Sequence, residues 1–251
     1  MLKESDMINN LPEAPCETGD TITAFLMVGQ SNMAGRGDLC DVEPINNERC
    51  QMFRMGVWQP MSEPINIDKS AHAEFAPGVG LAASFADELV RYTDSRIGLI
   101  PCAYGGSRIE KWEPGGDLFD HAVFITRLAT RTSRLGGIIW HQGESNCRNY
   151  DREGYGEKFI RTMTELRRAV GAESLPLILG EIPENMGERW NMGDRPKCFN
   201  RYLHELASKL PVCAVASQEG LTLRPDGIHF SAVSCRELGR RYFEKYLELT
   251  K

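Results

Sequence analysis

The chain has 251 residues, enough for one large domain or two small ones around a sizeable core. It is 41% hydrophobic and 25% charged, an ordinary globular composition, and its formal charge of −6 argues against a nucleic-acid or anionic-membrane partner, since both favour basic patches. No apolar run approaches the roughly 20 residues that span a bilayer.

The first residues, Met1-Leu2-Lys3-Glu4-Ser5-Asp6, lack the apolar stretch of a signal peptide. Residues 1–20 read as a polar arm ahead of one catalytic domain over 21–251. Eight cysteines (Cys16, Cys40, Cys50, Cys102, Cys147, Cys198, Cys213 and Cys235) are dispersed and form no CxxC pair. Cys40 and Cys50 are spaced to close a loop, but Cys102 and Cys213 sit in apolar runs of the kind that bury free thiols. The expectation is mostly reduced cysteines and a cytoplasmic setting, with secretion after removal of a leader as the alternative.

After the arm, short apolar runs alternate with helical spacing. Strands are expected at 22–28, 96–103, 136–141, 175–180 and 212–216. All five are continuously apolar, as strands buried on both faces are. Helices are expected at 79–92, 118–134, 154–170, 197–209 and 231–248. This alternation predicts a parallel sheet with helices on both faces and a working site outside the carboxyl ends of the strands. Segment 35–78 breaks the rhythm and reads either as a long loop walling the site or as a surface insertion.

Four stretches carry chemistry. Gly29-Gln30-Ser31-Asn32-Met33 puts a serine just past the first strand, either as a nucleophile or as a helix cap. Asp226-Gly227-Ile228-His229 lets a carboxylate turn back onto an imidazole, fixing its tautomer and leaving Nε2 as a base. Ala103-Tyr104-Gly105-Gly106-Ser107 offers backbone N–H groups at a strand end, and Trp140-His141-Gln142-Gly143-Glu144-Ser145 adds a carboxamide. Each has a plain structural explanation alone, but together they place polar chemistry at one end of one sheet.

These four stretches resemble the sequence blocks of the SGNH-hydrolase superfamily. They are most similar to the family-6 carbohydrate esterases, which include acetylxylan esterases, and to the sialate O-acetylesterases. The blocks occur in the family's order from about residue 22 to 232. The resemblance implies a flavodoxin-like three-layer α/β/α sandwich, here with a five-stranded parallel sheet, and a metal-free serine esterase acting on acetylated carbohydrate. It implies Ser31 as nucleophile, His229 as general base and Asp226 as its orienting acid. The oxyanion hole would comprise the N–H groups of Ser31 and of Gly106 (or Gly105) and the side chain of Gln142. Glu144 matches a motif carboxylate that some relatives assign to the triad, and is expected as a second or shared acid.

No cofactor is expected, and the scattered His72, His121, His141, His204 and His229 show no metal-ligand spacing. Trp58, Trp112 and Trp190 are candidates to stack on a sugar ring, Trp112 foremost. Arg36 is a candidate to bind a carboxylate on an acidic sugar, or else a solvent-exposed arginine. Two other functions remain open: a short-chain carboxylesterase with a non-sugar ester, and a carbohydrate-binding module without turnover. The pattern does not speak to oligomeric state.

Overall fold

The computed structural model describes residues 21–68, 76–149 and 151–251. The polar arm expected at 1–20 lies outside them. The first strand, β1 (Ile22–Gly29), is buried along its whole length. Ala24, Leu26 and Val28 join the core on one face of the sheet, Phe25 and Met27 the core on the other. A strand with two buried faces has no polar side to alternate with, so its sequence is a continuous apolar run.

A single helical turn, α1 (Ser31–Ala34), follows β1 directly. The chain then forms a hairpin, β2 (Cys50–Arg54) and β3 (Val57–Pro60), and continues through α2 (Leu81–Tyr92), β4 (Arg96–Pro101), α3 (Asp117–Ala129) and β5 (Ser133–His141). The short α4 (Glu144–Cys147) leads into α5 (Arg152–Val170), β6 (Leu177–Gly180) and the short α6 (Met186–Arg189). The last elements are α7 (Arg195–Ala207), β7 (Cys213–Ala216) and α8 (Ala232–Thr250). Asp151 caps α5 by accepting from Gly154 N–H, and Ser231 caps α8 by accepting from Ser234 N–H.

The strands lie in the order β3-β2-β4-β1-β5-β6-β7. All pairs are parallel except β2 with β3. Among the described residues the sheet thus has seven strands, not the five expected from the sequence. The two extra strands are the hairpin inside segment 35–78. Arg54 pairs with Val57, leaving Met55 and Gly56 as a two-residue loop, both at positive φ (55° and 80°). Such turns normally advertise themselves with Asn or Asp before Gly, and a methionine there hides the signal.

Helices α2 and α8 cover one face, burying Leu81, Phe85, Leu238 and Tyr242 with Phe25, whose ring meets Phe85 edge-on at 5.0 Å. Helices α3, α5 and α7 cover the other, burying Ala122, Phe159 and Leu203 with Trp140. Cys40 and Cys50 are both free, as are the other described cysteines. Burial pushes the thiols of Cys50, Cys147 and Cys213 up to about 12, which leaves them poor nucleophiles. Among the described residues no helix is long and apolar enough to cross a membrane.

The centre of the sheet sets up the site. β1 and β5 pair in register to their last residues, Gly29 opposite His141. Gly29 has φ 133°, and a Cβ there would stand 2.1 Å from the His141 carbonyl oxygen, so only glycine lets the two strands finish this close together. Gln30 N–H then donates to that carbonyl at 2.8 Å and the chain turns into α1.

Candidate active site

Ser31 opens α1, but the cap position belongs to Gln30 and the serine hydroxyl does not cap the helix. Its Oγ instead lies 2.9 Å from His229 Nε2. His229 Nδ1 lies 3.0 Å from Asp226 Oδ2, while Asp226 Oδ1 accepts the backbone N–H groups of Ile228 and His229, both at 2.9 Å. Burial alone would raise the Asp226 pKa, but these hydrogen bonds outweigh it and hold the carboxyl at about 2. An ionised carboxylate only accepts, so His229 Nδ1 carries the proton and Nε2 is left to accept from the Ser31 hydroxyl. The loop bearing His229 is itself closed: Arg224 N–H donates to His229 O, and Ser231 N–H to Thr222 O. Serine and aspartate stand 195 residues apart in the chain (226 − 31), yet with the histidine they form one run of contacts.

The oxyanion candidates separate into two groups. The N–H groups of Ser31 and Gly106 donate to no described residue. Gly105 N–H, by contrast, is taken by Asp68 Oδ2 at 2.6 Å. A Cβ on Gly105 would stand 2.5 Å from the Arg36 guanidinium and 2.6 Å from the Asp68 carboxylate, so a side chain there would displace that pair. Gln142 is also occupied. Its Nε2 donates to Asn146 Oδ1 at 2.7 Å and to Ser107 O at 3.2 Å, and its Oε1 accepts from Tyr155 O–H at 3.2 Å. With its carboxamide committed on both sides, Gln142 braces the 105–109 loop rather than offering a free donor.

Arg36 is neither exposed nor aimed at a ligand. It is buried and pairs with Asp68 at 2.6 Å, with side-chain exposures of 2% and 1%. Asn66 strengthens the same junction by exchanging two 2.9 Å hydrogen bonds with the Ala103 backbone. The 65–68 segment is thereby locked under the loop that carries Gly105 and Gly106.

Glu144 is buried at the start of α4. Its Oε1 accepts from Asn32 Nδ2 at 2.6 Å and stands 3.5 Å from His141 Nε2. The carboxylate on the His229 Nδ1 is that of Asp226. Asn32 and Gln30, to which the motifs assign no task, are the polar side chains that tie the strand ends together: Gln30 Oε1 accepts from Ser145 N–H at 3.2 Å. The signal was present, since both flank Ser31 and both are buried polar residues that need partners.

Trp112 offers no face to a sugar. It is fully buried, its indole N–H donates to Ser107 Oγ at 2.9 Å, and its ring meets Trp140 edge-on at 5.4 Å. Trp58 is half-buried against Phe53 at 5.1 Å in the outer hairpin. Trp190 is 37% exposed, with the Arg148 guanidinium 4.6 Å from its ring. The aromatic side chain beside Gly106 is instead Tyr104, 39% exposed. It lines a cavity of about 550 Å³ with Gly105, Gly106, Arg108, Lys111 and Leu118. Among the described residues no group of three or more His, Cys, Asp or Glu is arranged to hold a metal ion.

The Arg36 geometry makes a prediction. Arg36→Ala strands the Asp68 carboxylate without its buried partner, which costs about 3–5 kcal/mol of folding stability by urea denaturation. A protein of unchanged stability with a raised KM would instead make Arg36 a substrate contact.

This fold recurs in known proteins. The chain matches the family described as carbohydrate esterase, sialic acid-specific acetylesterase, over residues 21–248. It is 28% identical over 241 residues to a probable carbohydrate esterase of Arabidopsis thaliana, covering 89% of each chain. A solved Arabidopsis thaliana structure superposes with a TM-score of 0.80 at 26% identity, over 91% of this chain and 98% of that one. NanS superposes with a TM-score of 0.73 at 16% identity, over 92% and 98% of the two chains. A catalytic mutant of an acetylxylan esterase from Geobacillus stearothermophilus gives 0.57 at 13% identity, over 92% and 96%. The last two likenesses are of fold. Taken with the match that runs through all four motif blocks, they lead to one assignment: this chain belongs to the carbohydrate esterase family of sialic acid-specific acetylesterases.

Proposed function

We propose that the protein removes acetyl groups from ester-linked positions on carbohydrate through an acyl-enzyme at Ser31. The observation that carries this reading is the continuous contact Ser31 Oγ to His229 Nε2 at 2.9 Å and His229 Nδ1 to Asp226 at 3.0 Å. Nucleophile and base are within hydrogen-bond reach, and the base is oriented by a third group.

In this mechanism the Ser31 oxygen attacks the acetyl carbonyl carbon while His229 Nε2 takes the hydroxyl proton. The carbonyl π pair moves onto oxygen, and the N–H groups of Ser31 and Gly106 receive that charge. One such donor is worth about 2.7–4 kcal/mol in the barrier. As the carbonyl re-forms, the C–O bond to the sugar breaks and His229 passes its proton to the departing hydroxyl. Water then attacks the acetyl-serine, giving its proton to His229, and acetate leaves as Ser31 is reprotonated. Asp226 stays ionised throughout and stabilises the imidazolium. The cavity beside Gly106 is of the size that takes a small ligand, and Tyr104 gives it an aromatic wall suited to the apolar face of a sugar. The family's description and the Arabidopsis thaliana relative support carbohydrate as the leaving group.

Two predictions test the reading. Parent protein should release acetate from p-nitrophenyl acetate and from O-acetylated carbohydrate, either acetylxylan or O-acetyl sialate, and Ser31→Ala should abolish both. Cleavage of the small ester alone would contradict the sugar assignment, and activity surviving in Ser31→Ala would contradict the nucleophile. The second prediction concerns Asp226, whose carboxyl is held ionised down to about 2. Asp226→Asn should lower kcat by on the order of 10⁴-fold, because the neutral amide no longer fixes the His229 tautomer. A variant with near-parent kcat would count against Asp226 as the orienting group.

A further inference from the structure

Both ends of the Asn32 carboxamide are engaged. Its Nδ2 donates to Glu144 Oε1 at 2.6 Å and to Ile228 O at 3.1 Å, and its Oδ1 accepts from Phe230 N–H at 3.1 Å. Ile228 and Phe230 are the residues on either side of His229. Asn32 is also the residue after Ser31. One side chain therefore grips both peptides flanking the base while its own backbone carries the nucleophile.

Glu144 joins Ile228 O and Phe230 N–H in fixing which way that side chain faces. An ionised carboxylate accepts and never donates, so it admits only the NH₂ end of Asn32. Rotating the amide by 180° would set its oxygen against both Glu144 and the Ile228 carbonyl, and its NH₂ against the Phe230 N–H. Three favourable contacts would become three repulsive ones. The carboxylate is held ready for this task. Burial pushes its pKa up, but His141, Asn32 and its own backbone N–H together hold it below the ordinary carboxylate range. Behind it, Tyr242 O–H donates to Trp140 O at 2.8 Å, and the same hydroxyl lies 3.1 Å from His141 Nδ1, which fixes the histidine ring.

We infer that Glu144 is a positioning residue which, through the Asn32 carboxamide, sets the placement of the His229 imidazole relative to Ser31. The inference rests on the esterase reading for its kinetic consequence. Its structural consequence stands apart from that reading: without Glu144, Asn32 keeps two backbone contacts but loses its shortest hydrogen bond, and the 228–230 backbone it grips loosens. A displacement of about 1 Å at a reacting centre is enough to cost about 10²-fold in rate.

The test is a double-mutant cycle of Glu144→Ala, Asn32→Ala and the pair, read two ways. The first readout is kcat and KM on p-nitrophenyl acetate. Each single variant should lower kcat by about 10²-fold with KM little changed, and the double variant should fall no further than the worse single. Glu144→Gln, which keeps an acceptor for Asn32, should recover most of the loss. The second readout is the ¹⁵N-edited NMR signal of the His229 Nδ1–H in resting protein, which should shift or broaden in both single variants and return in Glu144→Gln. Losses that multiply in the double variant would overturn the inference, as would an unchanged His229 signal in Glu144→Ala. Should the alanine variants fail to fold by circular dichroism, Asn32→Ser with Glu144→Leu, which keeps volume but removes the acceptor, carries the same cycle. Should the parent hydrolyse nothing, the esterase reading fails by itself, and the NMR arm still decides whether Glu144 places His229.

Discussion

The close approach of β1 and β5 at their carboxyl ends is the constraint on which the site depends. Gly29 sits opposite His141 with no room for a side chain, and Gln30 N–H closes on the same carbonyl. The two central strands therefore stop together. Their next residues are delivered to one place: Ser31 and Asn32 after β1, Gln142 and Glu144 after β5. Neighbouring β4 supplies the 103–107 loop on one side, where Tyr104 N–H donates to Gly29 O at 3.0 Å. The late loop returns from beyond β7 to place His229 over the serine. A parallel sheet wound on both sides puts every strand's carboxyl end on the same rim, and here the rim is held in register by glycine.

Buried polar brackets then hold the loops that the sheet brings together. Arg36 with Asp68 supports the Gly105 backbone, Gln142 with Asn146 supports residues 107–109, and Asn32 with Glu144 supports the His229 loop. Each bracket joins segments far apart in sequence and each lies out of water. In such a setting an unmatched polar atom costs more than a matched pair gains, so the arrangement is specified sharply. The groups that the proposed mechanism uses are few. Most of the polar chemistry around them is devoted to keeping two N–H groups and one imidazole where they are.

Local features were the legible ones in the sequence. Strands buried on both faces are runs of apolar residues, so β1, β4, β5, β6 and β7 were visible. Asp226 and His229 lie three residues apart, and Ser31 stands at a strand end, so all three stood out in short motifs as candidates. The hairpin at β2 and β3 was hidden because its strands are five and four residues long and its turn uses Met55. Arg36 was misjudged for a different reason. Its partner is 32 residues away in a segment with no periodicity, and nothing in Gly35-Arg36-Gly37 reveals a buried ion pair. Gln142 and Trp112 lie near the expected atoms but spend their polar groups on protein partners. A carboxamide or an indole declares which bonds it can make, while only packing declares which it does make, and both are spent on Ser107 and its neighbours.

The proposed mechanism stands or falls on whether Ser31 becomes covalently acetylated during turnover. Rapid acid quench of parent protein with p-nitrophenyl acetate, with peptide mass spectrometry of the quenched protein, measures this directly. The mechanism predicts one acetyl group on the peptide containing Ser31, accumulating in His229→Ala if deacylation is slowed more than acylation, and absent from Ser31→Ala. Hydrolysis that proceeds in the parent with acetate carried on another residue, or on none, would contradict it.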